Sequence, residues 1–236
     1  MPEPLISIIV PVYNEANTVA DVIGRLLGIP LPAPREILVV DDGSTDGTTE
    51  VLARLAPSRD VRIIHARRNS GKGSAIRLGL AEARGSIVAI QDADLELDPS
   101  QLASLVAPIL EGRARVVYGS RFLETNARVP WLTLTANRFL TAATNLLYGA
   151  ALTDMETCYK VMRTDVARTL DLESTRFEIE PEITAKLLLD GERIHEIPVR
   201  YDPRPRRAGK KIGWHDGLIA LQTLLRYRFG RHRRTR

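Results

Sequence analysis

The chain has 236 residues with 44% hydrophobic content and a net charge of +4, so it can form one large α/β domain with a sizeable core. Its single cysteine, Cys158, excludes an internal disulfide and argues against a cysteine-based zinc site, as expected of a reducing compartment. The first residues lack a basic segment followed by an apolar one, so no signal peptide is predicted, and no apolar run is long enough to span a bilayer.

The first half of the sequence alternates short apolar runs with amphipathic segments. The predicted strands cover 5–10, 36–40, 61–65, 85–90 and 115–118. The predicted helices cover 17–27, 47–55, 71–84 and a segment that Pro99 opens. Alternation of this kind predicts a doubly wound parallel sheet whose strand C-termini meet at one edge.

The pattern changes after Gly119. An amphipathic helix is predicted over 131–147, followed by a polar segment at 153–157. The remaining predicted elements are a helix over 180–189, a strand over 193–201, a Pro- and Arg-rich loop over 202–213 and a final amphipathic helix over 214–227. The absence of an internal repeat or a low-complexity linker favours one domain with a C-terminal appendage.

Polar residues follow three of the predicted strands, at 11–15, 41–47 and 92–94. Asp42 can accept hydrogen bonds from a base or a ribose, and Tyr13 can stack on a base. Asp92 and Asp94 offer hard oxygen ligands for Mg²⁺ or Mn²⁺, with a substrate phosphate completing the shell. Three such strand ends at one sheet edge indicate a nucleotide site with a metal that neutralises a diphosphate.

Each of these segments also has a purely structural interpretation. For 92–94 it is a turn, because aspartate is common where the chain leaves a strand. Segment 41–47 is a good turn and helix N-cap, and Ser44, Thr45 and Asp46 are expected to act mainly in that way. Glu15 can serve helix-start electrostatics, and Pro11 can simply end its strand.

The ordered motifs resemble the family 2 glycosyltransferases of GT-A fold. They are IIVPVYNE at 8–15, DDGSTDGT at 41–48, GKGSA at 71–75, DAD at 92–94 and GSR at 119–121. Within that family the chain is most similar to the dolichyl-phosphate mannose or glucose synthases. The resemblance implies a GT-A (Rossmann-like), mostly parallel sheet and an inverting transferase that uses a nucleotide sugar and Mg²⁺ or Mn²⁺.

The resemblance also implies roles for individual residues. Contacts with the donor nucleoside are implied for Pro11, Tyr13, Glu15, Val40 and Asp42. Contacts with the diphosphate and metal are implied for Asp92, Ala93 and Asp94, with Glu96 as a further metal ligand. Arg121 is expected to face the sugar and the acceptor phosphate. Arg204 and Lys210 resemble the family's mobile basic loop, which closes over the diphosphate and excludes water.

The sequence departs from the synthase pattern on the acceptor side. Segment 208–211 reads AGKK in place of the usual Gly-Glu-Ser-Lys, and 154–160 reads DMETCYK in place of the usual Thr/Ser-Gly-Ser/Phe segment. A polyprenyl phosphate needs no general base, because its second pKa of about 6 leaves it largely ionised. A sugar hydroxyl needs one, and Asp154 and Glu156 are then the candidates. Their alternative role is hydrogen bonding within a buried polar turn.

Two other sites have open interpretations. Asn137 and Arg138 can receive the acceptor phosphate or lie on a solvated helix face. Lys72 lacks the spacing of a nucleotide-triphosphate loop, so that assignment is rejected, and Gly71 and Gly73 are expected to allow a tight helix entry.

The final helix combines apolar residues with a cluster of arginines. This composition is compatible with an interfacial helix on an anionic membrane, and the alternatives are a core helix or self-association into a homo-oligomer. No zinc finger or RNA-binding aromatic signature supports a nucleic-acid partner.

The sequence therefore predicts a hexosyltransferase that acts on a GDP-mannose or UDP-glucose type donor and a polyprenyl phosphate. We expect it to be peripheral on the cytoplasmic membrane face. The expected division is a catalytic domain over 1–213, with a donor half over 1–120 and an acceptor half over 121–213, and a basic appendage over 214–236. The rivals are transfer to a sugar or small-molecule hydroxyl, and a non-catalytic nucleotide-sugar-binding module.

Overall fold

The computed structural model describes residues 4–55, 58–124, 131–203 and 214–230. Seven strands form one sheet in the order β3-β2-β1-β4-β6-β5-β7. The strands are β1 (Ile6–Val12), β2 (Arg35–Asp41), β3 (Val61–His65), β4 (Ile87–Ile90), β5 (Val116–Ser120), β6 (Lys160–Arg163) and β7 (Ile194–Pro198). Strands β1 to β4 are parallel to one another, as the alternating pattern predicts.

Eight α-helices flank the sheet within the described ranges. They are α1 (Val19–Gly28), α2 (Thr48–Leu55), α3 (Lys72–Glu82), α4 (Leu102–Leu110), α5 (Trp131–Tyr148), α6 (Thr164–Thr169), α7 (Ile179–Leu189) and α8 (Trp214–Phe229). The parallel crossovers bring the C-terminal ends of β1, β2 and β4 to one edge, where ligands bind in open α/β sheets.

The core lies on both faces of the sheet because successive strand residues point in opposite directions. In β1, Ile8 and Val10 belong to one buried cluster, whereas Ile9 belongs to the cluster on the other face. Helix α3 packs closely on that second face, since a Cβ on Gly79 would lie only 2.5 Å from a side-chain carbon of Ile9.

One strand and one helix were not anticipated by the sequence pattern. Strand β6 lies between β4 and β5 and is antiparallel to both, so the sheet is mixed rather than fully parallel. The strand begins with a fully buried lysine, Lys160, which obscures its apolar character in the sequence. Helix α6 follows β6 directly and has only six residues.

The last helix packs onto the rest of the fold. Its residues Ala220 and Leu224 share a buried cluster with Leu140 of α5, and the Tyr148 hydroxyl donates a hydrogen bond of 2.6 Å to the Leu224 carbonyl. One part of the α8 surface is therefore buried against the fold, as the core-helix alternative predicts. Among the helices in the described ranges, none has the length and apolar character needed to cross a bilayer.

Candidate active site

The N-terminus of α3 ties together the ends of β2 and β4. The Ser70 and Gly71 backbone amides donate hydrogen bonds of 2.9 and 2.6 Å to the Asp42 carboxylate. The next residue, Lys72, places its Nζ 2.8 Å from Oδ1 of Asp92. Two of the predicted strand ends therefore meet at one three-residue segment, and each end presents a carboxylate there.

Glycine is required at the centre of this segment. Gly71 has a φ of +99°, and a Cβ there would lie 2.5 Å from the Thr175 carbonyl oxygen. A side chain would therefore strain the backbone and push it away from the loop that precedes α7. The prediction that Gly71 permits a tight helix entry agrees with this geometry.

Asp42 is almost completely buried, with 3% exposure. Burial raises the pKa of its carboxyl group, and the hydrogen bonds from the Ser70 and Gly71 amides oppose that rise only in part. A nucleotide would have to share this carboxylate with the two amides. Asp42 thus remains a predicted donor contact at the correct sheet edge.

Asp92 is electrostatically paired. Burial disfavours its ionised form, but the charge and hydrogen bond of Lys72, with smaller contributions from Cys158 and Lys160, together lower the pKa of the Asp92 carboxyl group. Asp94 accepts a hydrogen bond of 3.1 Å from the Glu96 backbone amide, and the Glu96 carboxylate accepts one of 2.8 Å from the Tyr201 hydroxyl.

The residues after β4 fit a divalent cation that is held mainly by its substrate. Asp92 and Asp94 supply hard carboxylate oxygens, and the ammonium beside Asp92 shows that a cation is accommodated there. In the described ranges, no group of three or more His, Cys, Asp or Glu residues is close enough to hold an ion. Mg²⁺ is commonly bound by one or two carboxylates plus substrate phosphates, so Asp92 and Asp94 match that ligand set, and Glu96 stays a predicted third ligand.

The 41–47 loop is held by the predicted cap at the start of α2. Asp46 accepts a hydrogen bond of 3.1 Å from the Thr48 amide at the start of α2, which confirms its capping role. Ser44 accepts one of 2.9 Å from the Asn14 amide, so it also orders the loop that carries Tyr13 and Glu15. Tyr13 and Glu15, which are predicted to contact the nucleoside of the sugar donor, are partly buried at the edge of the sheet.

Three further residues that are predicted to contact the nucleotide sugar are buried. Val40 is 0% exposed and packs in the hydrophobic core, and Ala93 is 4% exposed. Pro11 is also buried, within β1 opposite Val40. Because the Val40 side chain is in the core, it is not presented at the sheet edge.

Arg121 and Asp154 form a buried ion pair. Nε and Nη2 of Arg121 donate hydrogen bonds of 2.7 and 2.8 Å to the two carboxylate oxygens of Asp154. The Asp154 side chain is 0% exposed, and that of Arg121 is 12% exposed. The guanidinium also lies 5.2 Å from the Tyr201 ring centroid. This geometry favours the hydrogen-bonding role of Asp154 over the general-base role, because its charge is already used to orient Arg121.

Glu156 has a different environment although it is only two residues further along the chain. Its Oε1 is buried and has no hydrogen-bond partner among the residues that the structure describes. Burial raises the pKa of this carboxyl group to about 7, against the opposing influence of the Lys160 ammonium. Glu156 can therefore exchange a proton near neutral pH, as a general base must.

Asn137 and Arg138 of α5, both predicted to bind the acceptor phosphate, differ in their exposure. Asn137 is buried and donates a hydrogen bond of 2.9 Å to the Thr133 carbonyl, so the solvated-face alternative is wrong for it. Arg138 is exposed, which agrees with that alternative. Arg204 and Lys210 of the predicted basic loop lie outside the described residues.

Sequence reasoning missed a group of buried charges beneath the strand ends. Lys72 Nζ lies 2.9 Å from Oε1 of Glu180 as well as beside Asp92, and Lys160 Nζ lies 2.5 Å from Oε2 of Glu180. A lysine directly after a glycine at a helix start was a usable signal for Lys72. Glu180 gave no such signal, since it belongs to an ordinary acidic first turn of α7.

The chain is similar in sequence to known glycosyltransferases. The chain is 29% identical to glycosyltransferase AglJ of Haloferax volcanii over 87% of this chain and 66% of AglJ. It is 31% identical to the undecaprenyl-phosphate mannosyltransferase of Micrococcus luteus over 87% of this chain and 86% of that protein.

Among solved structures, the fold resembles glucosyl-3-phosphoglycerate synthase from Mycobacterium tuberculosis in complex with Mn²⁺, uridine diphosphate and glucosyl-3-phosphoglycerate. The TM-score is 0.72 at 21% identity, covering 97% of this chain and 81% of that one. The sheet and its flanking helices therefore form the GT-A fold. The family model for glycosyl transferase family 2 matches residues 7–171, well over half of the sequence. The chain belongs to glycosyl transferase family 2.

Proposed function

We propose that the protein transfers a hexose from a nucleotide sugar to a polyprenyl phosphate, with inversion at the anomeric carbon. The observation that carries this proposal is the joining of two strand ends by the α3 N-terminus. Asp42 is held by the amides that precede α3, and Asp92 is held by the Lys72 side chain in its first turn. A nucleoside beside Asp42 would place its diphosphate toward Asp92 and Asp94.

The donor half would bind and orient the leaving group. Tyr13 and Asp42 would contact the nucleoside, and Asp92 and Asp94 would hold a Mg²⁺ or Mn²⁺ ion. When bound, that ion supplies Lewis-acid stabilisation of the departing diphosphate. Lys72 adds a fixed positive charge at the same sheet edge. The donor is expected to be of the GDP-mannose or UDP-glucose type.

The acceptor half would orient a nucleophile that is already charged. A phosphate monoester is largely dianionic near neutral pH, so it can attack the anomeric carbon without a general base. Asp154 holds Arg121 in one orientation through two hydrogen bonds, so the guanidinium is positioned before the acceptor arrives. Similarity to the undecaprenyl-phosphate mannosyltransferase of M. luteus supports a polyprenyl phosphate acceptor.

Exposed apolar side chains support contact with a lipid surface. On α5, Phe139 and Leu146 are 60% and 86% exposed, and on the neighbouring α8, Leu218 and Phe229 are 58% and 75% exposed. The last turn of α8 adds the basic residues Arg226 and Arg228. Apolar and basic residues on one helix are typical of interfacial binding to anionic membranes, where the acceptor lipid would reside.

One observation favours a second candidate function. Glu156 combines a buried oxygen that has no partner within the described part of the chain with a pKa raised by burial to about 7. That combination suits a general base for a sugar hydroxyl acceptor. In this case Glu156→Gln would abolish transfer while leaving donor binding intact. With a phosphate acceptor, Glu156→Gln would retain most of the activity.

The test is a transfer assay with a panel of GDP- and UDP-sugars, Mg²⁺ or Mn²⁺, and undecaprenyl phosphate. We expect lipid-linked sugar from one donor and loss of at least about 100-fold in rate for Asp94→Asn, because the ion stabilises the leaving group. Asp98→Asn is the matched control, since Asp98 lies nearby with a 51% exposed side chain. Failure with every donor, or equal activity of Asp94→Asn and Asp98→Asn, would contradict the proposal.

A further inference from the structure

The Lys72 ammonium lies between two carboxylates that come from different parts of the fold. It is 2.8 Å from Oδ1 of Asp92, at the end of β4, and 2.9 Å from Oε1 of Glu180, in the first turn of α7. The side chains of Lys72 and Glu180 are 13% and 5% exposed, whereas that of Asp92 is 27% exposed. Asp92 is therefore the more accessible of the two partners.

Glu180 is itself held in place from the other side. Its Oε2 lies 2.5 Å from Nζ of Lys160, which is completely buried. That ammonium also donates a hydrogen bond of 3.1 Å to the Met155 carbonyl and another to the Thr157 carbonyl, and it lies 4.7 Å from the Tyr118 ring centroid. Glu180 is thus a fixed acceptor that Lys72 can keep when its contact with Asp92 is broken.

We infer that Lys72 acts as an internal counter-ion that competes with the divalent cation for Asp92, and that Glu180 holds Lys72 while the cation is bound. This inference rests on the proposed function only in taking Asp92 and Asp94 as the metal ligands. When the cation arrives, the Asp92 carboxylate exchanges the ammonium for the metal, and the ammonium stays paired with Glu180. No proton is transferred and the protein's own charge is unchanged.

The exchange gives Lys72 and Glu180 opposite effects on metal affinity. Without Lys72, Asp92 has no competing cation, so Mn²⁺ should bind more tightly. Without the charge of Glu180, Lys72 is paired with Asp92 alone, so Mn²⁺ should bind more weakly. One unit charge at several ångströms from a divalent ion changes affinity by about tenfold, even with strong solvent screening.

The experiment measures Mn²⁺ affinity in the absence of any donor, by the electron paramagnetic resonance signal of free Mn²⁺. We expect Lys72→Met to lower the Kd about tenfold and Glu180→Gln to raise it about tenfold. In the Lys72→Met background, Glu180→Gln should weaken Mn²⁺ binding much less than in the unmodified protein, because Glu180 acts mainly through Lys72. The matched control is Glu182→Gln, since Glu182 is also buried on α7 and paired with a lysine, at 2.7 Å from Lys186.

A second measurement uses the unmodified chain and does not depend on the folding of a variant. With ¹⁵N-labelled lysine, titration with diamagnetic Mg²⁺ should shift the ammonium resonance of Lys72 and leave that of Lys186 unchanged. An unshifted Lys72 resonance during saturable Mg²⁺ binding would overturn the exchange.

The other outcomes separate the inference from the proposed function. If Mn²⁺ binds and Asp94→Asn abolishes binding, but both Lys72→Met and Glu180→Gln leave the Kd unchanged, only the inference fails. Equal weakening by Glu180→Gln with and without Lys72 would also overturn it, because Glu180 would then act as a distant charge. If the unmodified protein binds no Mn²⁺, the metal assignment fails as well.

Discussion

Replacement of Asp154 by asparagine tests how the acceptor side of the site is held together. Asp154 is fully buried, and its two oxygens accept hydrogen bonds of 2.7 and 2.8 Å from the Arg121 guanidinium. The substitution keeps the volume of the side chain but leaves a largely buried cation unpaired. Breaking a buried ion pair in this way costs about 3–5 kcal/mol of stability.

The loss of stability in Asp154→Asn should fall within that range because the backbone around Asp154 has its own hydrogen bonds. The Glu196 carboxylate accepts hydrogen bonds from the backbone amides of Thr153 and Asp154, so the backbone is held even when the Asp154 charge is lost. The effect of Asp154→Asn should therefore come from the Arg121 guanidinium and not from collapse of the loop.

A double-mutant cycle isolates this interaction. The free energy of unfolding is measured by urea denaturation for Asp154→Asn, Arg121→Met and the double variant. We expect the double variant to be at least about 2 kcal/mol more stable than the sum of the single effects predicts, because it leaves no buried charge unpaired. Additivity within about 0.5 kcal/mol would refute the reasoning, since independent sites behave in that way.

Three further predictions concern stability, donor binding and lipid contact. The folded-state pKa of Glu156, about 7, lies above its ordinary value of 4.5, so this group stabilises the fold fully below pH 4.5 and loses that effect as the pH rises through 7. Urea denaturation between pH 5 and 8 should show a fall of up to about 3 kcal/mol that is absent in Glu156→Gln. Gly71→Ala should destabilise by about 1–3 kcal/mol and weaken donor binding in calorimetry, because its Cβ would lie 2.5 Å from a carbonyl oxygen. Leu146→Glu should reduce co-sedimentation with anionic vesicles, since Leu146 is 86% exposed.

Each of these has a control and a contradicting result. Parallel pH profiles for the unmodified protein and Glu156→Gln would mean that Glu156 ionises normally. Gly112 also has a positive φ, of +72°, but a Cβ added there would have no described atom within 4 Å. Donor binding weakened as much by Gly112→Ala as by Gly71→Ala would show that the steric argument is wrong. Vesicle binding that is unaffected by Leu146→Glu, or equal on neutral and anionic vesicles, would contradict the membrane proposal.

Local patterns were sufficient to predict the parallel half of the fold and its caps. Strand β1, its polar end and the Asp46 cap all depend on residues close in sequence, where periodicity and hydrogen-bonding chemistry act directly. The match of the family model to 7–171 confirms the resemblance on which the remaining site predictions depend.

The features that escaped prediction depend on distant parts of the chain. Strand β6 begins with Lys160, whose buried charge is paired with Glu180, a residue of α7 that is distant in sequence. The pairing of Lys72 with Asp92 depends on the approach of α3 to the end of β4. Similarly, the packing of α8 against α5 is a tertiary contact, so an amphipathic sequence alone left the core and the membrane as open alternatives.

The most direct test of the proposed transfer compares two acceptors that differ only in the phosphate. The protein is incubated with the productive nucleotide sugar, Mn²⁺ and either undecaprenyl phosphate or undecaprenol, and the lipid-linked product is quantified. We predict that a lipid-linked sugar forms only with undecaprenyl phosphate. Its anomeric configuration should be opposite to that of the sugar in the donor. Transfer to undecaprenol at a comparable rate, or a product that keeps the donor configuration, would contradict the proposed function.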